Sequence, residues 1–167
     1  MGIKKFIIKG RIKRWIKSND RHVCFKNMDS ALTALIIWNK NDEIAYKNMT
    51  EKLKKHKIKY QEVCFSDNKI EKDQKNIITS CKDFNFFGTP KNKSVQDFLD
   101  TEFDLLIDIS LSSSIYAQLI RSFSMAHFKV GWAPVNTDYF DMTIDISKKP
   151  NSQYLVEQIN HYLNIIN

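Results

Sequence analysis

Phe103-Asp104-Leu105-Leu106-Ile107-Asp108-Ile109 is the stretch on which the fold turns. A short apolar run bounded by acids and turn residues reads as a strand buried on both faces. Upstream, Ser94 is placed to cap a helix through Leu99. Downstream, Ser112 or Ser113 opens a helix to about Met125, with Ile115, Leu119, Ile120 and Phe123 facing inward. A strand between two helices is the repeating unit of a parallel sheet, because a parallel crossover needs a dozen or more residues.

The same alternation continues outward in both directions. Thr33 to Trp38 (TALIIW) and Lys59 to Phe65 (KYQEVCF) read as strands, the second more polar and nearer an edge. Between them Asn39 to Asp42 turns the chain, and Ile44, Met49 and Leu53 share one side of a helix that ends in a basic cluster. Residues 67–82 are charged and weakly patterned, a mobile excursion with a short strand near 76–80. Phe84, Phe86 and Phe87 crowd a turn at Gly88-Thr89-Pro90 that must be anchored. Phe128 to Trp132 and Met142 to Ile146 are two further strands. Pro150 and Ser152 start a closing helix carrying Leu155, Val156, Ile159, Tyr162 and Leu163. The expected fold is α/β: one three-layer, Rossmann-like domain at 23–167 with a mostly parallel sheet of about five strands, preceded by a basic amphipathic helix at 1–22.

That leader holds eight basic residues, Lys4, Lys5, Lys9, Arg11, Lys13, Arg14, Lys17 and Arg21, against the single acid Asp20, which accounts for the whole formal charge of +7. The rest of the chain is balanced. Abundant Ile, Lys and Asn reflect an AT-rich coding sequence, but coding bias spreads lysine evenly and does not gather it with arginine in one segment. Ile8, Ile12, Trp15 and Ile16 form one stripe of the leader helix, with Ser18-Asn19-Asp20 stopping it. Either the stripe packs on the domain and the cations are solvated, or it meets a partner. Both cases leave a rigid basic ridge.

The 167 residues, 43% of them apolar, suffice for one core. Cys24, Cys64 and Cys81 are odd in number and form no Cys-x-x-Cys pair, as suits a reducing cytoplasm. No apolar run reaches the length of a signal-peptide core or of a membrane span. His22, His56, His127 and His161 are scattered, and none stands in a triad arrangement. With only Gly2, Gly10, Gly88 and Gly131, the chain holds neither a P-loop nor a dinucleotide fingerprint. No catalytic residue, metal centre or cofactor is expected.

Phe103-Asp104-Leu105-Leu106-Ile107-Asp108-Ile109-Ser110 and Phe140-Asp141-Met142-Thr143-Ile144-Asp145-Ile146-Ser147 share F-D-x-x-I-D-I-S. If both strands are parallel members of one sheet, Asp108 and Asp145 converge on a ligand rim with Ser110 and Ser112. The plainer alternative is that each Asp stabilises a turn.

From the basic leader through Asp83 to Lys91, Phe103 to Asp108, Phe128 to Gly131 and Tyr139 to Asp145, the chain resembles a family of small uncharacterised bacterial proteins classed only as a domain of unknown function. The resemblance implies a compact α/β domain behind a basic helix and supplies no activity. Phe103 to Trp132 is also similar to the N-terminal half of heptosyltransferase-type glycosyltransferases, which implies shared local topology.

The charge asymmetry leads to a cytoplasmic, non-enzymatic accessory protein that binds structured RNA, the ribosome included. Lys9, Arg11, Lys13, Arg14, Lys17 and Arg21 then contact phosphates, and Trp15 stacks on a base or anchors the helix. The alternatives are an anionic membrane surface, with Ile8, Ile12, Trp15 and Ile16 inserted, or a small-molecule or sugar enzyme with its site at the rim. A protein partner for the body fits either binding reading.

Overall fold

Five branched or apolar residues in a row, Ala34 to Trp38, all buried, make Thr33–Asn39 the central strand β1. The computed structural model describes residues 2–18, 21–66, 77–78, 83–132 and 138–166, with backbone alone at 77–78. In chain order the elements are α1 (Ile3–Ser18), β1, α2 (Glu43–Lys55), β2 (Lys59–Phe65), β3 (Ile77–Ile78), α3 (Lys93–Asp100), β4 (Leu105–Asp108), α4 (Ile115–Phe123), β5 (Phe128–Gly131), β6 (Met142–Thr143) and α5 (Ser152–Ile165). The strands form one six-stranded sheet in the order β3-β2-β1-β4-β5-β6, and every pairing is parallel. The order reverses between β1 and β4, the switch point at which doubly wound sheets open a crevice at their carboxyl ends.

Alternation along β1 divides the core. Ala34, Ile36 and Trp38 pack with Ala45, Met49 and Leu53 of α2 and with Leu155, Val156, Ile159 and Leu163 of α5. Leu35 and Ile37 face the other way, into a layer built from α1, α3 and α4. The result is three layers with the sheet in the middle, and α1 is part of one outer layer rather than an arm beside it. Ile8 is fully buried, Ile12 is buried, and Trp15 stacks on Phe123 with ring centroids 4.6 Å apart.

Several boundaries differ from the sequence reading. Asn92 and Ser114 cap α3 and α4, each accepting amide hydrogens in the first turn, in place of Ser94 and of Ser112 or Ser113, while α5 starts at Ser152 as read, capped by Asn151. Two-residue β6 is shorter than expected because β5, its pairing partner among the described residues, ends at Gly131 opposite Thr143. Ile144 and Ile146 continue into the core without a ladder. Ile44, read on one side of α2 with Met49 and Leu53, is exposed, and so is Tyr162 of α5. The expected excursion at 67–82, apart from Ile77–Ile78, lies outside the described residues, as do Asn19, Asp20 and Cys81.

Candidate nucleic-acid interface

At about 100° per residue, α1 spreads its cations around its circumference. One flank is tied to the chain's own aromatic turn. Lys4 Nζ donates to the Phe84 carbonyl at 3.1 Å, and Arg11 Nη1 donates to the Phe87 carbonyl at 2.8 Å and to Thr89 Oγ1 at 3.3 Å. The Arg11 guanidinium also lies over the Phe123 ring, 4.8 Å from its centroid. The turn itself closes through the Asn85 amide on the Thr89 carbonyl and the Thr89 amide on Asn85 Oδ1. Gly88 sits at φ +85°, and a side chain there would meet Leu119 at 2.5 Å and Ile8 at 2.9 Å, so glycine is what lets the turn dock.

Arg21 is likewise engaged inside the molecule. It donates to the Ala126 and His127 carbonyls at 2.6 and 3.0 Å and pairs with Asp141. Arg11 and Arg21 are therefore structural clasps, and Trp15 an anchor on Phe123. The stripe faces the core: Ile8 and Ile12 are buried, and Trp15 and Ile16 pack against the same cluster.

Lys5, Lys9, Lys13, Arg14 and Lys17 remain, all exposed, and among the described residues none of them forms an ion pair. Between them Ile3 and Phe6 are 75% and 73% exposed. Lys9, Lys13 and Lys17 also overlook a cleft of about 360 Å³ whose other lining is Ile12, Ile16, Gln118, Asp138 and Tyr139. Lys5 was not singled out by sequence. Gln118, Asp138 and Tyr139 were invisible to it, since only the fold brings them beside α1.

The candidate rim at the switch point has a different character. Asp108 and Arg121, each 2% exposed, form a buried ion pair through Arg121 Nε and Asp108 Oδ2. Asp108 Oδ1 accepts from the Ser110 amide and hydroxyl at 2.8 and 2.7 Å, and Arg121 Nη2 reaches Ser110 Oγ at 3.2 Å. The serine loop closes on itself. Ser110 Oγ accepts the Ser112 amide, Ser112 Oγ the Ser114 amide, and Ser114 Oγ the Ala117 amide. Asp145 is exposed and accepts the Ser147 amide at 2.8 Å, which holds its carboxyl below the usual carboxylate range.

Those contacts give the repeated F-D-x-x-I-D-I-S a structural meaning. In each copy the second Asp binds the amide of the Ser two residues on, at 2.8 Å. In each copy the first Asp reaches sideways to the start of a neighbouring strand. Asp104 Oδ2 accepts from the Leu32 and Thr33 amides at 2.8 and 3.1 Å, and Asp141 Oδ2 from the Lys129 amide at 2.7 Å. Phe103 and Phe140 fill one core layer while Ile107 and Ile144 fill the other. Among the described residues no group of three or more His, Cys, Asp or Glu could hold a metal ion.

Lys129 was also missed from sequence. It is 2% exposed, and its Nζ donates to the Arg121 and Ser122 carbonyls at 2.8 and 3.3 Å, closing the end of α4. Burial, reinforced by the Arg21 charge against the opposing pull of Asp141, lowers its pKa to about 7.

A model of a family described as "Family of unknown function (DUF6913)" matches residues 4–166, and the chain belongs to that family. No curated protein and no solved structure matches. No helix among the described residues is long and apolar enough to cross a membrane.

Proposed function

We propose that this member of the DUF6913 family is a non-enzymatic accessory protein of the bacterial cytoplasm that binds structured RNA, ribosomal RNA included, through the outward face of α1. One observation carries the reading. Five cations stand on the exposed side of a helix whose other side is locked into the core, so the positive strip is rigid and its charges have no carboxylate partner among the described residues. A polyanion gains from meeting such a strip by releasing counterions, without a shaped pocket. The clasps at Lys4, Arg11 and Arg21 fix the helix in place, and the α/β body is left to meet a protein partner. The buried Cys64 thiol, pushed up to about 12 chiefly by burial, is an unreactive core group rather than a nucleophile.

The test is a fluorescence-anisotropy titration of a labelled RNA hairpin with the wild-type chain and with a variant carrying Gln at positions 5, 9, 13, 14 and 17. Gln keeps helix propensity while removing charge. Affinity is expected to fall at least about a hundredfold. Equal affinity of the two proteins removes the proposal.

A membrane surface is the second reading, favoured by the exposure of Ile3 and Phe6 on α1 and of Phe86 and Phe87 on the turn clasped beside it. Flotation with vesicles containing anionic lipid, together with indifference to RNA, decides for it. A sugar enzyme with its site at the rim finds no free carboxylate in Asp108, which is engaged with Ser110 and Arg121.

A further inference from the structure

We infer that the cleft between α1 and Tyr139 seats one unpaired nucleotide of the bound RNA, with its backbone along the lysines and its base inward. The inference rests on the RNA reading and narrows it, from polyanion to RNA that presents a bulged or looped residue. Lys9, Lys13 and Lys17 recur every four residues, about 6 Å of helix rise apart, so they form one row along the cleft's edge. A row of ammonium groups follows a phosphodiester backbone.

The remaining lining is unsuited to phosphate. Ile12 and Ile16 are apolar, Tyr139 contributes an aromatic ring, and Asp138 puts a carboxylate among the lysines. A purely anionic ligand is repelled by Asp138. An acyl chain fits the isoleucines but leaves that carboxylate without a partner. A nucleobase with an exocyclic amino group satisfies all of it: two apolar faces for Ile12, Ile16 and Tyr139, and N–H donors for Asp138. Gln118 adds a second acceptor, because its Nε2 donates to the Ser113 carbonyl at 3.0 Å and so turns the amide's other atom, the oxygen, to be the one that can receive. The volume, about 360 Å³, lies at the lower end of small-ligand sites and fits one nucleotide. Paired bases cannot enter, whereas bulges and loops splay theirs out.

The experiment compares three hairpins of equal phosphate number: one with a bulged adenosine, one with an abasic residue at the bulge, and one fully paired. Anisotropy with the full chain at fixed salt is expected to rank the bulged adenosine about tenfold tighter than the other two. Gln118→Trp, which fills the cleft, is expected to bring the bulged hairpin down to the affinity of the paired one. Gln118→Leu, a smaller change, is expected to give part of that loss, with circular dichroism verifying the fold of both. Equal binding of all three hairpins by the wild type, with the charge dependence on α1 intact, overturns the seat and leaves the RNA reading standing. No binding to any hairpin overturns both.

Discussion

Arg121 reaches back from the last turn of α4 to Asp108 at the end of β4, and the two form an ion pair that is closed to solvent on both sides. The pair sits at the switch point of the sheet, where a ligand would otherwise be sought. Its hydrogen bonds run to Ser110 within the same cluster, so the arrangement secures the carboxyl end of the sheet.

Removing one partner leaves the other charged and buried. Asp108→Ala is expected to lower stability by about 3–5 kcal/mol. Its counterpart in the repeated motif, Asp145→Ala, removes only an exposed turn contact and is expected to cost far less. Urea denaturation of the two variants measures the contrast, and equal losses would refute the assignment of different roles.

Lys129 makes stability depend on pH near neutrality. Its folded pKa, lowered to about 7, lies below the ordinary 10.5, so between these values the unfolded chain holds more protons. Stability therefore rises with pH through that window, and the penalty of the buried charge is complete below pH 7. From pH 7 to 8.5 the gain attributable to Lys129 is about 1–2 kcal/mol. The window stops there because the raised Cys64 and Tyr46 groups oppose the trend at higher pH. Urea midpoints measured across the window are expected to climb for the wild type and to flatten for Lys129→Met.

Gly88 holds the aromatic turn against α1. Gly88→Ala combines a left-handed backbone with close approach to Leu119 and Ile8, and is expected to cost about 2 kcal/mol or more. Hydrogen exchange should then show the amides of Gly88 and Thr89, which bond within the turn, losing protection ahead of the sheet. Unchanged exchange there would contradict the docking role.

What the chain disclosed in advance followed the reach of local rules. Thr33 to Trp38 and Lys59 to Phe65 declared themselves as strands because apolar runs and alternation are local signals. Helix starts slipped by one or two residues wherever Ser and Asn crowded together, as at Asn92-Lys93-Ser94, because several side chains there can reach the first-turn amides. The clasps were hidden for another reason. Arg11 and Arg21 bind carbonyls 76 to 106 positions away, and no sequence pattern marks a carbonyl. Arg121 and Lys129 carry no local sign of burial, which only the fold imposes on them. The exposed lysines of α1 were legible because charge clustering survives folding, whereas the wall facing them, Gln118 and Tyr139, required the packing of α4 and of the segment before β6 beside α1.

The most direct measurement of the central claim is the salt dependence of RNA affinity. Five phosphate contacts from Lys5, Lys9, Lys13, Arg14 and Lys17 predict a slope of log K against log salt between about −3.5 and −4.5. The slope should approach zero when those five residues are Gln. A wild-type slope near zero, or one that the five substitutions leave unaltered, would contradict it.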